Sequence, residues 1–148
     1  MARTAVFTKN APPPIPQLSQ AIKHNGMVYC SGSLGIDHRT GKFVEGSFQD
    51  RVIRCLMNLK AVLEAAGSSL HDVVKVNVFL TDMKNFKEMN EVYDQFFTTD
   101  PKPARTCVAV HQLPLGADVE VECIAVESKG SEHSSVDEDE EVVPKAKL

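Results

Sequence analysis

The stretch Pro103-Ala-Arg-Thr-Cys-Val-Ala-Val-His-Gln-Leu-Pro-Leu-Gly-Ala-Asp-Val-Glu-Val-Glu-Cys123 reads as two strands joined by a turn. Arg105 stands at the head of the first strand, and Glu120 and Glu122 alternate with Val119, Val121 and Cys123 in the second. Side chains alternate along a strand, so both glutamates face one way and the apolar set faces the other. A hairpin turning near Pro114-Leu115 would set Glu120 opposite Ala109 and let Arg105 pair with Glu122. A guanidinium near two carboxylates is either a structural ion pair or an anion site with a general base beside it. The strand pattern alone leaves both open.

Outward from this stretch, Val73-Val-Lys-Val-Asn-Val-Phe-Leu80 is a further strand. Val74, Val76, Val78 and Leu80 are expected to fill one face, while Lys75 and Asn77 dilute the other. Between the strands, Asn85-Phe-Lys-Glu88 opens a helix whose buried stripe reads Phe86, Met89, Tyr93 and Phe96. An earlier helix begins at the capping box Ser47-Phe-Gln-Asp50. Its stripe is Val52, Ile53, Leu56, Leu59, Val62, Leu63 and Ala66, and Gly67 stops it.

Toward the N-terminus, Gln20–Lys23 and Met27–Cys30 flank His24-Asn25-Gly26, a hairpin signal in which Asn-Gly supplies the positive φ angles of a type I′ turn. Ser31-Gly32-Ser33 then interrupts the second strand, as a β-bulge or as a place where a ligand or backbone comes close. Before the hairpin, Ala5–Thr8 is a possible edge strand, and four prolines in Asn10–Pro16 enforce an extended path. Two helices cover only one face of such a sheet, so a second copy of the chain is expected over the other.

A chain of 148 residues, 43% apolar and 24% charged, is most simply one domain with an ordinary core. That domain is assigned to residues 1–128, and 129–148 to an acidic, disordered tail. The tail holds six acids and three lysines of the chain's 20 and 16, which leaves the body near −1. A near-neutral body without a basic stripe argues against nucleic acid as the main partner. Apolar runs are too short for a membrane span. Cys30, Cys55, Cys107 and Cys123 form no Cys-x-x-Cys, and neither they nor the five histidines show metal-ligand spacing. Free thiols in a reducing compartment, the cytoplasm, are the expectation. The basic N-terminus and the C-terminal Ala146-Lys147-Leu148 name the mitochondrion and the peroxisome as alternatives.

Residues from about Thr4 to Val126 resemble the Rid/YjgF family of enamine/imine deaminases. The resemblance rests on Pro103-Ala-Arg-Thr-Cys-Val-Ala-Val, Leu113-Pro114 and Val119-Glu-Val-Glu122. Supporting matches are Ser31-Gly32, Leu63-Glu-Ala-Ala-Gly67, Val73–Asp82, Met89-Asn90 and Tyr93 with Phe96-Phe97. It implies a chorismate-mutase-like α+β fold of the bacillus type, a mixed sheet with two helices on one face. It further implies a homotrimer with a central β-barrel and active sites in clefts between subunits. The implied activity is hydrolysis of 2-imino or 2-enamino acids such as 2-aminoacrylate to 2-keto acids and ammonia, without cofactor or metal. That is the reaction of a 2-iminobutanoate/2-iminopropanoate deaminase.

Carried onto this chain, Arg105 would clamp the substrate carboxylate and Cys107 would offer mainly its backbone N–H. Glu120 would orient or deprotonate the attacking water, and Ser31, Gly32 and Asn90 would line the pocket. Leu18 stands where many deaminating members carry a tyrosine, and Ser33 where glutamine is common. The competing readings are a non-catalytic trimeric binder of small 2-keto or carboxylic acids, and a holdase or translation-inhibitor-like interaction protein.

Overall fold

Asn25 and Gly26 both have positive φ, 50° and 75°, and close a two-residue turn. In the computed structural model, which describes residues 2–128, this turn joins β2 (Ala21–His24) to β3 (Met27–Cys30). A short β1 (Thr4–Val6) lies along β2 as an edge. A two-stranded ribbon follows, β4 (Ile36–Asp37) with β5 (Lys42–Phe43). The remaining elements are α1 (Phe48–Ala65), β6 (Val73–Leu80), α2 (Phe86–Phe96), β7 (Ala104–Ala109) and β8 (Val119–Val126). Six strands make one mixed sheet in the order β1-β2-β3-β8-β6-β7, with α1 and α2 packed on one face. The acidic segment 129–148, with Ala146-Lys147-Leu148, lies outside the described residues.

The two strands of the opening stretch do not form a hairpin. β7 pairs in parallel with β6 alone, while β8 pairs antiparallel with both β6 and β3. β6 therefore separates Arg105 from Glu122, and Glu120 is opposite Phe79 rather than Ala109. The unit β6-α2-β7 is a strand-helix-strand crossover, whose helix packs back over the two parallel strands it joins.

The capping box of α1 forms on both sides: Ser47 Oγ accepts from the Asp50 amide, and Asp50 Oδ2 accepts from the Ser47 amide at 2.8 Å. Leu56, Leu59 and Leu63 are fully buried against the sheet, each contributing about 1.5–3 kcal/mol by area removed from water. Ile53 is exposed, and its expected place in the stripe goes to Cys55 and Asn58. Asn58 is buried because its Nδ2 donates to the carbonyls of Leu34 and Ile36, at 3.1 and 2.8 Å. In α2 the buried positions are Met89, Val92 and Tyr93; Phe86 is exposed and Asn85 makes no side-chain cap. A register shift between Val73 and Lys75 turns Val73 inward and Val74 out, so Val74 does not join Val76, Val78 and Leu80 on the inner face.

Candidate active site

Glu120 is set by the alternation of β8. Val119, Val121, Cys123 and Ala125 are buried under the helices, so Glu120 and Glu122 project from the opposite face. Glu122 Oε1 accepts a 3.0 Å bond from Asn77 Nδ2. Glu120 instead reaches the end of β3, where the Ser31–Ser33 interruption lies. Tyr29 pairs with Ile124, yet the next bridge joins Ser33 to Val121, one residue out of register. This is a β-bulge, and it also gives close approach: a Cβ on Gly32 would overlap Glu120 Oε1. Burial, and then the neighbouring Glu122 charge, push the Glu120 carboxyl above its ordinary value.

The bulge is clamped from behind. Ser33 exchanges backbone bonds with Val121 at 2.7 and 3.0 Å. Ser33 Oγ donates to the Cys55 carbonyl, and Cys55 Sγ donates to the Ser33 carbonyl. Burial pushes that thiol up to about 12, so it stays a donor. At the start of β8, Asp118 receives three bonds of 2.6–3.1 Å from Arg51 of α1. Glu120 lies two residues beyond this anchor.

Beside Glu120 opens a cleft of about 350 Å³. Ser31, Gly32 and Leu18 line it, together with the proline-rich segment and Leu115. Gln20 fixes that segment: its Nε2 donates to the Thr8 and Pro12 carbonyls, and its Oε1 accepts from the Thr8 amide. Ser31 Oγ donates to the Ser19 carbonyl at 2.6 Å, holding Leu18 near the bulge.

Arg105 is elsewhere. It pairs with Val76, an inward residue of β6, and so lies on the helix face of β7. Its guanidinium stacks over Tyr93, 4.6 Å from the ring centroid, with Phe86 at 5.6 Å. Asn90 Oδ1 accepts from Arg105 Nη2 at 2.6 Å. Cys107 follows on the same face, and burial raises its thiol more than the Arg105 charge lowers it. A reactive thiolate activated by arginine is not what this environment makes. The Val110 amide bonds to the Leu80 carbonyl, so by alternation the amides of Arg105 and Cys107 point out of the free edge of β7.

The expected site residues thus fall into two groups. Leu18, Ser31, Gly32 and Glu120 surround the cleft, whereas Asn90, Arg105 and Cys107 gather on β7 and α2. Tyr93, expected in the buried stripe of α2 and among the family matches, has a further part: its ring seats the arginine. His111 is exposed. Among the described residues no cluster of three or more His, Cys, Asp or Glu is placed to hold a metal ion.

A family model described as endoribonuclease L-PSP matches residues 8–127. The chain belongs to this Rid/YjgF family. A RutC family protein of Pyrococcus horikoshii is 47% identical over 123 residues, 83% of this chain and 97% of its own. A chloroplastic Reactive Intermediate Deaminase A of Arabidopsis thaliana is 42% identical over 123 residues, 83% of this chain and 65% of its own. The crystal structure of E. coli TdcF with bound serine is 38% identical, covers 84% of this chain and 99% of that one, and superposes with a TM-score of 0.79. The two helices on a mixed sheet are the chorismate-mutase-like arrangement of this Rid/YjgF fold.

Proposed function

We propose that this Rid/YjgF protein hydrolyses 2-imino and 2-enamino acids, such as 2-aminoacrylate, to 2-keto acids and ammonia, as a 2-iminobutanoate/2-iminopropanoate deaminase does. The observation that carries the reading is Glu120, a half-buried carboxyl with a raised pKa, held against a bare Gly32 at the edge of a cleft. A carboxylate so placed takes a proton from water as its oxygen attacks the imine carbon. The carboxyl passes that proton to nitrogen to give a carbinolamine; the remaining hydroxyl proton follows to nitrogen through the same carboxylate, the C–N bond breaks, and ammonia leaves as the C=O forms. The imine carbon is already electrophilic, so the reaction needs no metal or cofactor, and positioning supplies much of the rate gain.

Arg105, oriented by Asn90 and stacked on Tyr93, grips the substrate carboxylate with its planar fork. The Cys107 amide at the free edge donates to the same carboxylate. Since Arg105 and Glu120 occupy opposite faces, the reading requires a neighbouring copy to bring the β7 edge of one subunit to the Glu120 cleft of another. A homotrimer with the open sheet faces around a central barrel meets that need, and covers Tyr29, Val108 and Val126, which are exposed in the single chain. The four free thiols fit a cytoplasmic setting.

The reading is tested by coupling the protein to a serine dehydratase that generates 2-aminoacrylate. Faster keto-acid release, lost in Arg105→Ala and Glu120→Ala, is the expected result; no acceleration by a folded trimer on any imino acid overturns it. A second reading, a binder that holds a 2-keto acid without turnover, draws on Leu18, which adds no hydroxyl to the cleft wall.

A further inference from the structure

The cleft beside Glu120 is within the usual size of small-molecule sites, roughly 300–1,000 Å³. Its walls are Pro14, Ile15 and Leu18 from the proline-rich segment, Leu59 and Val62 from α1, and Leu115 at the mouth. Polar side chains also line it, but their donors are already used. Gln20 and Asn58 donate to backbone carbonyls, as do the hydroxyls of Ser31 and Ser33. A hydroxyl or amide pushed into this space would lose water; its N–H or O–H could reach only the Asn58 Oδ1 and Glu120 oxygens, and its own oxygen would find no free side-chain donor in return.

Leu115 adds a second observation. It holds φ 59° inside the turn Pro114–Gly116, a left-handed conformation that disfavours any residue with a Cβ. Its side chain is 76% exposed at the rim, and Ile15 on the facing segment is 59% exposed. Glycine would hold the turn without strain, so what leucine adds there is apolar surface over the opening.

We infer that this cleft is a side-chain pocket selecting 2-imino acids with branched or aromatic apolar side chains over the small ones formed from serine or alanine. The inference rests on the deaminase reading for its chemistry and on the cleft for its selectivity. The imine nitrogen and carbon sit at Glu120, and the substituent extends along Leu18 toward Leu59 and Val62, with Leu115 covering it.

An L-amino-acid oxidase converts leucine, phenylalanine or alanine into the matching imino acids, whose loss is followed with and without the protein. The expected kcat/KM for the leucine and phenylalanine imines exceeds that for the alanine imine by about tenfold or more. Leu115→Gly and Leu18→Asn, both at exposed positions, should shrink that ratio about fivefold. A wild-type ratio of one or below, with turnover present, overturns the selectivity and leaves the deaminase reading standing. If no imine is hydrolysed, calorimetry with stable 2-keto acids decides. Binding of 4-methyl-2-oxopentanoate about tenfold tighter than pyruvate upholds the pocket while the deaminase reading falls. Equal affinities overturn the pocket as well.

Discussion

Arg105 stands beside Val76 and Glu120 beside Phe79, and the odd spacing of those two partners on β6 puts the two charges on opposite faces of the sheet. Neither can serve the other within one chain. If the site is assembled from two subunits, Arg105→Ala and Glu120→Ala should each be inactive alone. Unfolding and refolding them together should recover about a quarter of wild-type activity, because random mixing gives that share of pockets both intact groups. Activity of the mixture no higher than that of either variant would place both groups in one subunit's pocket.

The Glu120 carboxyl is raised by burial and by Glu122. A base must be ionised, so the acid limb of kcat/KM should lie above the ordinary 4.5 of a glutamate. Glu122→Gln removes the like charge and should move that limb downward. A pH profile of the two proteins checks this, and an unmoved limb assigns the limb to another group.

The same shift carries a stability sign. The folded state binds the Glu120 proton more tightly than the unfolded one, so stability falls as pH rises from the ordinary glutamate value through the folded one. Glu120→Gln should therefore be the more stable protein at neutral pH, with the gap closing below about pH 4. Urea melts at the two pH values measure it.

Gly32→Ala sets a methyl against the Glu120 carboxylate. The obstructing atom is the end of a flexible side chain, so the fold should lose about 1 kcal/mol or less. Moving the carboxylate by an ångström should lower kcat about a hundredfold. Parallel kinetics and thermal melts separate the two effects.

Asn58→Ala strips donors from the Leu34 and Ile36 carbonyls behind the cleft. A cost of about 2–4 kcal/mol is expected, read as a lower urea midpoint at unchanged slope.

Local features were legible in the sequence. The Asn25-Gly26 turn, the Ser47–Asp50 capping box and the glutamate alternation of β8 each depend on residues a few positions apart, and each forms. Strand order depends on what closes over longer spans. A hairpin that sets Glu120 opposite Ala109 and pairs Arg105 with Glu122 is what two strands adjacent in sequence suggest. Yet the connection from Ala109 to Val119 is long for a tight hairpin, and β6-α2-β7 already has the form of a parallel crossover. Helix stripes were predicted by periodicity, which does not see that Asn58 finds two carbonyls inside or that Phe86 lies open beside an arginine. The resemblance named residues of both halves of the site, but their separation onto two faces follows only from the register.

The extra residue in the Ser31–Ser33 bulge has a genetic consequence. Substitutions at its positions grade the shape of the cleft, whereas deleting one codon there would let Ser31 onward pair with β8 in the regular register begun by Tyr29 and Ile124. The sheet would become more uniform and the recess at Glu120 would close. For this stretch, chain length is inherited information as much as residue identity.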